Sequence, residues 1–378
     1  MIYLDNAATS YPKPAEVINA ITEGITVYGA NPGRSGHDMS LAAAQKVYDT
    51  REKLNDMFNG YGSLNVVFTY NCTYALNFAI KGVIEKGAHI LTSSLEHNSV
   101  VRPLSQLKIQ GICDFDIIEC LGTDEEIVSA FSAAITPRTK LIVCTHASNV
   151  FGRVMPLEKL GELAEKRGLT FIVDAAQSAG VLEINMRKMH INCLCMPGHK
   201  GLYGSQGNGI LLFDESIKNS LIQGGTGSRS FEIVQPQDLP DKLESGTLNV
   251  PGICSVFAGV GFIKNFGLDR IYEYEYSLMK EAWEDLSEMK NVILYSSDYR
   301  MFEFAPILAF NIKNLHSEQV AAELNRHQVA VRAGYHCAIL AHKTYGTEQM
   351  GTVRLSPSVH TEKKDLNTAI NYISKIAK

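Results

Sequence analysis

No run of lysine and arginine, no long apolar stretch and no dense set of cysteines occurs in these 378 residues, and each absence removes a class of protein. Thirty-five basic and 40 acidic side chains are interspersed and leave a net charge of -5. That balance gives no electrostatic footprint for nucleic acid or for an anionic membrane surface. No apolar run reaches the roughly 20 residues that a bilayer-spanning helix needs. The opening MIYLDNAAT carries neither the basic start nor the apolar core of a signal peptide. Eight cysteines scattered over a chain of this size argue for free thiols in a reducing compartment, so a cytoplasmic location is expected. Cys193-Leu194-Cys195 is the one close pair, and it lacks a second Cys or His pair at zinc spacing. The pair reads as core, and no metal site is expected. Internal repeats and low-complexity linkers are missing too, which argues for closely packed domains.

What is present is an ordinary globular balance, 45% hydrophobic and 20% charged, in a chain long enough for two domains. Short β-rich runs at 64–69, 89–92, 115–118, 141–145, 170–173, 193–196 and 209–213 alternate with amphipathic stretches. One of these, 157–167, places Leu157, Leu160, Leu163 and Ala164 at helical spacing. Such alternation predicts an α/β domain with a largely parallel, helix-covered sheet. The run at 209–213 follows its predecessor too closely for a helical crossover, so it is expected to run antiparallel. From about Pro251 the texture changes. Helical readings cover 252–266 and 268–289, strands recur at 292–295, 307–312 and 329–332, and a helix over 361–377 ends the chain. This reads as a smaller α+β domain.

Two strand ends carry reactive side chains. The run 170–173 leads into Asp174-Ala-Ala-Gln177, and the next leads into Met196-Pro-Gly-His-Lys200. The rim beyond the carboxyl ends of parallel strands is where α/β sheets bind ligands. A pyridoxal-phosphate (PLP) enzyme needs a lysine that forms an imine with the cofactor aldehyde. It also needs a carboxylate that keeps the pyridine nitrogen protonated. Asp174 and Lys200 are placed to serve both needs, although a strand-end Asp alone is commonly a cap and most lysines are simply solvated. A third strand runs into Tyr70-Asn71-Cys72-Thr73 before a helix read over 75–80, a helix start that suits the cofactor phosphate. A fourth ends at Glu96-His97, where an imidazole suits stacking on an aromatic ring.

These residues carry a resemblance. Tyr3-Leu-Asp-Asn-Ala-Ala-Thr9, Glu96-His97, Val173-Asp-Ala-Ala-Gln177, Gly198-His-Lys200 and Glu244-Ser-Gly-Thr247 resemble the class V aminotransferase family of fold-type I PLP enzymes. Arg332-Ala-Gly-Tyr-His-Cys337 resembles its cysteine desulfurase and selenocysteine lyase branch. The resemblance implies a large PLP-binding α/β domain over 13–250, with a mostly parallel seven-stranded sheet. Residues 1–12 and 251–378 would form the small α+β domain. Lys200 would hold the cofactor and shuttle the proton, His97 would stack on the ring, and Asp174 would pair with the pyridine nitrogen. Gln177 would bond the phenolate oxygen. Thr73 and His199, beside Cys72, would bind the phosphate, joined by Thr247 from the second subunit of a homodimer. Asn149 and Arg354 would grip the substrate carboxylate.

Cys337 would take the sulfur of L-cysteine as a persulfide, leaving alanine, and pass it to an acceptor protein. A thiolate is the side chain best suited to that attack, and His336 beside it is expected to lower its pKa. Cys337 follows Arg-Ala-Gly-Tyr-His without a longer insertion, as in the group that includes selenocysteine lyases. Two departures from the family pattern stand out: Pro197 where a serine is common, and an extra Gly201 after the lysine. Three alternatives remain open at this level. They are a selenocysteine lyase, an aminotransferase or other lyase in which Cys337 is a bystander, and a PLP-binding protein with no turnover of its own.

Overall fold

The computed structural model describes residues 1–33 and 36–378. After β1 (Ile2–Tyr3), α1 (Ala15–Thr26) and α2 (Asp38–Phe58), the chain alternates strand and helix. The strands are β2 (Val66–Thr69), β3 (Ala88–Ser93), β4 (Cys113–Ile118), β5 (Thr139–Thr145), β6 (Thr170–Asp174), β7 (Cys193–Pro197) and β8 (Gly209–Phe213). Between them lie α3 (Cys72–Val83), α4 (Asn98–Ile109), α5 (Asp124–Ala134) and α6 (Leu157–Arg167). The seven strands form one sheet in the order β2-β8-β7-β6-β5-β3-β4. β3 to β7 are parallel, while β8 is antiparallel to both neighbours, as its short connection requires.

Helices cover both faces of this sheet, so its strands are apolar on both sides rather than alternating with polar residues. Val67, Val143, Ile172, Cys193, Cys195 and Leu211 pack against α3 and α4. The intervening Val66, Ile142, Phe171, Val173, Leu194 and Met196 face the opposite layer with α2, α5, α6 and α7 (Val250–Phe266). Cys193 and Cys195, two residues apart, therefore share one face and are fully buried there. The helix read over 75–80 begins earlier than its apolar stripe suggests, because Asn71 caps it by accepting from the Tyr74 N–H at 3.2 Å.

β2 is an edge strand, and its exposed backbone groups are paired by side chains. The Phe68 N–H donates to Glu244 Oε1 at 2.6 Å, and Arg51 donates to the Val66 carbonyl. Arg51 and Glu244 close the arrangement with a bidentate pair at 2.6 and 3.0 Å, both side chains buried. A guanidinium and a carboxylate thus stand where another strand would pair, which blunts the edge.

Beyond α7 the backbone bends by 81° at Gly267 (φ +99°) into α8 (Leu268–Ser287). A second sheet follows, made of β9 (Val292–Leu294), β10 (Leu308–Ile312), β12 (Arg332–Gly334) and β13 (Thr352–Leu355), all antiparallel, in the order β12-β13-β10-β9. It packs on α8, α9 (Ser317–Arg326) and α11 (Lys363–Ile376), whose Leu366, Ala369, Ile370 and Ile373 are buried. The strand expected over 329–332 is two elements. β11 (Val329–Ala330) pairs in parallel with β1, and the chain then changes sheets to form β12. Pairing with β1 ties the N-terminal residues to the C-terminal half of the chain. A short α10 (Ile339–Thr344) follows the segment that carries Cys337.

Candidate active site

Strand ends at one edge of the large sheet deliver the reactive groups, because parallel strands all finish on the same side. β6 ends on Asp174, β7 runs into the turn bearing Lys200, and β2 runs into the N-terminus of α3 with Cys72 and Thr73. β3 leads through 94–96 to His97, the N-cap of α4. Cys72, Thr73, His97, Asn149, Asp174, Gln177, His199 and Lys200 line one cavity, together with Ser99, Thr145 and Pro197.

Burial sets the chemistry of this cavity. It lowers the Lys200 pKa to about 8, helped by the Arg354 charge and opposed by Asp174. At pH 7 about a tenth of Lys200 is then the free amine, the form that attacks an aldehyde, far more than for a solvated lysine. Burial likewise raises the Asp174 carboxyl, although the Ala176 N–H at 2.9 Å and the Lys200 charge favour its ionised form. Cys72 Sγ lies 3.7 Å from Asp174 Oδ1, and burial and that carboxylate push the thiol well above its ordinary range. Cys72 is therefore protonated and unsuited to nucleophilic attack.

His97 is lowered to about 4 by burial and by the charges of Lys200, Arg332 and Arg102, so its ring is neutral. Its Nδ1 accepts from the Ser99 N–H at 3.1 Å and lies 2.8 Å from Ser99 Oγ, which fixes Nε2 as the protonated nitrogen. Ser99 Oγ also lies 2.7 Å from Thr73 Oγ1, joining His97 to the start of α3. Ser99 was not among the residues expected from the sequence. A serine two residues past a helix N-cap gives no distinctive signal there.

Gln177 Nε2 donates to the Ala7 carbonyl at 3.1 Å. The His199 carbonyl accepts from Thr9 Oγ1 at 3.1 Å, Ser10 Oγ at 3.2 Å and Lys13 Nζ at 2.8 Å. The N-terminal segment thus clamps the lysine turn, a role for the Tyr3–Thr9 motif that the linear pattern did not assign. Arg354 is 1% exposed, donating to Asp5 Oδ1 at 2.8 Å and to the Asn149 carbonyl at 2.7 Å. Asn149 Nδ2 donates to the His336 carbonyl at 2.7 Å. Thr247 lines a separate cavity with Tyr70, Tyr74 and Ile222.

Cys337 is the exposed cysteine of the chain; among the described residues the other seven are buried or half-buried. The expected role of His336 is not met. Its Nε2 lies 3.0 Å from the Thr352 carbonyl, and burial and Arg354 lower its pKa to about 2. A neutral, buried imidazole supplies no positive charge to its neighbour. Gly201 has a packing reason, since a Cβ there would lie 2.3 Å from the Ala179 carbonyl. Without a side chain the lysine turn seats against the turn that follows Gln177.

The residues fit PLP. Buried polar atoms of this region without a partner among the described residues include His199 Nδ1, Asn149 Oδ1 and Arg354 Nε. Polar groups left in this way around a buried amine and carboxylate mark a cavity built for a polar ligand. When bound, PLP supplies an electron sink that weakens bonds around the substrate α-carbon. Lys200, Asp174, His97, Gln177, Thr73 and His199 would hold it.

Comparison with known proteins agrees with this geometry. The Aminotransferase class-V family model matches residues 2–368. A probable cysteine desulfurase of Pyrococcus abyssi is 32% identical, over 100% of this chain and 94% of its own length. One from Methanothermobacter thermautotrophicus is 30% identical, with 100% and 94% covered. The apo structure of a cysteine desulfurase from Thermococcus onnurineus superposes with a TM-score of 0.91 at 33% identity, covering 100% of this chain and 94% of that one. A lysine turn, a strand-end aspartate and a full-length match agree, and the chain belongs to the class-V aminotransferase family.

Proposed function

We propose that this protein is a PLP-dependent cysteine desulfurase that converts L-cysteine to L-alanine and carries the sulfur on Cys337. The observation that carries the reading is Cys337 itself. It is exposed, while its backbone carbonyl accepts from the Asn98 N–H at 2.7 Å, beside His97.

Arg354 and Asn149 orient the substrate carboxylate, the guanidinium by its planar fork. Lys200, buried and close to half neutral near pH 8, takes and returns the substrate proton. The His97 Nε2–H is placed by Ser99 to serve the same cavity. The Cys337 thiolate attacks the substrate sulfur. The new S–S bond forms as the substrate C–S bond breaks, and the pair left on carbon takes a proton to give alanine. Exposure of Cys337 supports onward transfer of the terminal sulfur to an acceptor thiol. The family resemblance implies a homodimer in which Thr247, which does not line the Lys200 cavity of its own chain, serves the second copy's site. Eight free thiols support a cytoplasmic location.

The test incubates PLP-loaded protein with L-cysteine and dithiothreitol and quantifies alanine and sulfide. Equimolar products from wild type, both lost in Cys337→Ala, are expected. An absorbance change on adding cysteine with no alanine formed would overturn the assignment. Activity confined to L-selenocysteine would make the protein a selenocysteine lyase.

A further inference from the structure

The turn that carries Cys337 is unusual in its backbone and in how it is held. His336 and Cys337 both have positive φ, +47° and +58°, a left-handed conformation that side-chain-bearing residues rarely adopt. Two such residues in succession persist only where surrounding contacts over-determine them. Both carbonyls of this pair are anchored from outside the turn. The His336 carbonyl accepts from Asn149 Nδ2 and the Cys337 carbonyl from the Asn98 N–H, each at 2.7 Å. A third bond, from the Ala338 N–H to the Tyr335 carbonyl at 2.9 Å, closes the turn itself.

The anchors belong to the substrate site. Asn98 is the first residue of α4, directly after His97. The backbone carbonyl of Asn149 accepts from Arg354, and its side-chain Oδ1 is buried without a partner among the described residues. An amide nitrogen carries two hydrogens. One is committed to the His336 carbonyl, and the second remains for a carboxylate held by Arg354.

We infer that Asn149, with the Asn98 N–H, is a positioning residue for the nucleophile: its one amide nitrogen links the substrate carboxylate to the turn that presents Cys337. The thiol and the substrate sulfur are thereby held in register by a shared group. This rests on the reading of Cys337 as nucleophile. It adds that the short turn works by being pinned in a strained conformation, not by swinging.

Two variants separate the anchors. Asn149→Ala removes the side-chain donor. Asn98→Pro, compared with Asn98→Ala to account for the lost side chain, removes the backbone donor, and proline is tolerated at the first helical position. The backbone of His97 (φ -70°, ψ 154°) is already the extended form that a following proline demands. Hydrogen exchange of the Ala338 amide and iodoacetamide labelling of Cys337 are followed on PLP-loaded, substrate-free protein. Loss of one anchor is expected to speed Ala338 exchange by about 2- to 10-fold in either variant, the range for one net hydrogen bond. The Cys337 labelling rate should change with it. In turnover, Asn98→Pro should lower kcat with KM unchanged, whereas Asn149→Ala should lower kcat and raise KM. Wild-type exchange and labelling in both variants, or an effect of Asn149→Ala on KM alone, would overturn the inference. The exchange readout needs no turnover. Alanine formation surviving in Cys337→Ala would therefore refute the nucleophile assignment separately, leaving the anchoring result to be judged on its own.

Discussion

Replacing Glu244 by alanine tests whether side chains can stand in for a missing strand. In the wild type the carboxylate neutralises Arg51 at 2.6 and 3.0 Å and accepts the Phe68 N–H at 2.6 Å, all out of water. The variant leaves a buried guanidinium uncompensated and an edge-strand N–H without an acceptor. Breaking a buried ion pair from one side costs about 3–5 kcal/mol, because the surviving charge stays desolvated. Removing both charges with Arg51→Met and Glu244→Leu leaves only the Val66 carbonyl and Phe68 N–H unpaired, about 1–3 kcal/mol each. The double variant should therefore be more stable than the sum of Arg51→Met and Glu244→Leu made singly, by about 4 kcal/mol. Urea unfolding followed by far-ultraviolet circular dichroism suits the measurement, since the lone Trp283 packs with the smaller sheet's core and reports there. Glu244→Ala should also aggregate more readily, with its β2 edge unprotected. A loss under 1 kcal/mol, or strict additivity of the two changes, would refute the edge-capping account.

Cofactor capture by the cofactor-free protein should speed up as pH rises and level off above about 8, where Lys200 becomes the free amine. A rate still climbing past pH 9 in stopped-flow absorbance would contradict the lowered pKa, and Lys200→Ala should lack the absorbance band of the lysine-linked cofactor. Glu96 is buried, accepts from Ser93 and from the Thr145 N–H, has Oε2 without a partner among the described residues, and has its pKa raised to about 8 by burial. A raised folded pKa contributes stability that is full below pH 4.5 and lost as pH rises to 8. Wild type should thus lose ground against the non-titrating Glu96→Gln across that window, by on the order of 5 kcal/mol. A pH-independent gap in melting temperature would refute this. Gly201→Ala should lower PLP affinity measured by absorbance titration, because a Cβ placed 2.3 Å from the Ala179 carbonyl forces the lysine turn to shift; unchanged affinity would show that the turn has slack.

Much of this protein was legible in the sequence for local reasons. Strands buried on both faces read as continuous apolar runs, so β5 to β8 were visible within a residue or two. Asp174 and Lys200 stood out because a charged residue just past such a run has one natural place, the carboxyl-end rim. Short elements resisted for the same local reason. The residues at 329–332 read as one strand, yet β11 and β12 belong to different sheets, since β11 pairs with β1 at the far end of the chain while β12 pairs with the nearby β13. Only the tertiary structure decided what depends on burial and on distant neighbours. His336 was expected to lower the pKa of Cys337 and is a neutral, buried residue held at the Thr352 carbonyl. Asn149 was expected at the substrate and also holds the turn of Cys337, 187 residues away along the chain. Composition and period fix which residues face a core, but a pKa or a side-chain hydrogen bond follows from what the folded chain brings within a few ångströms.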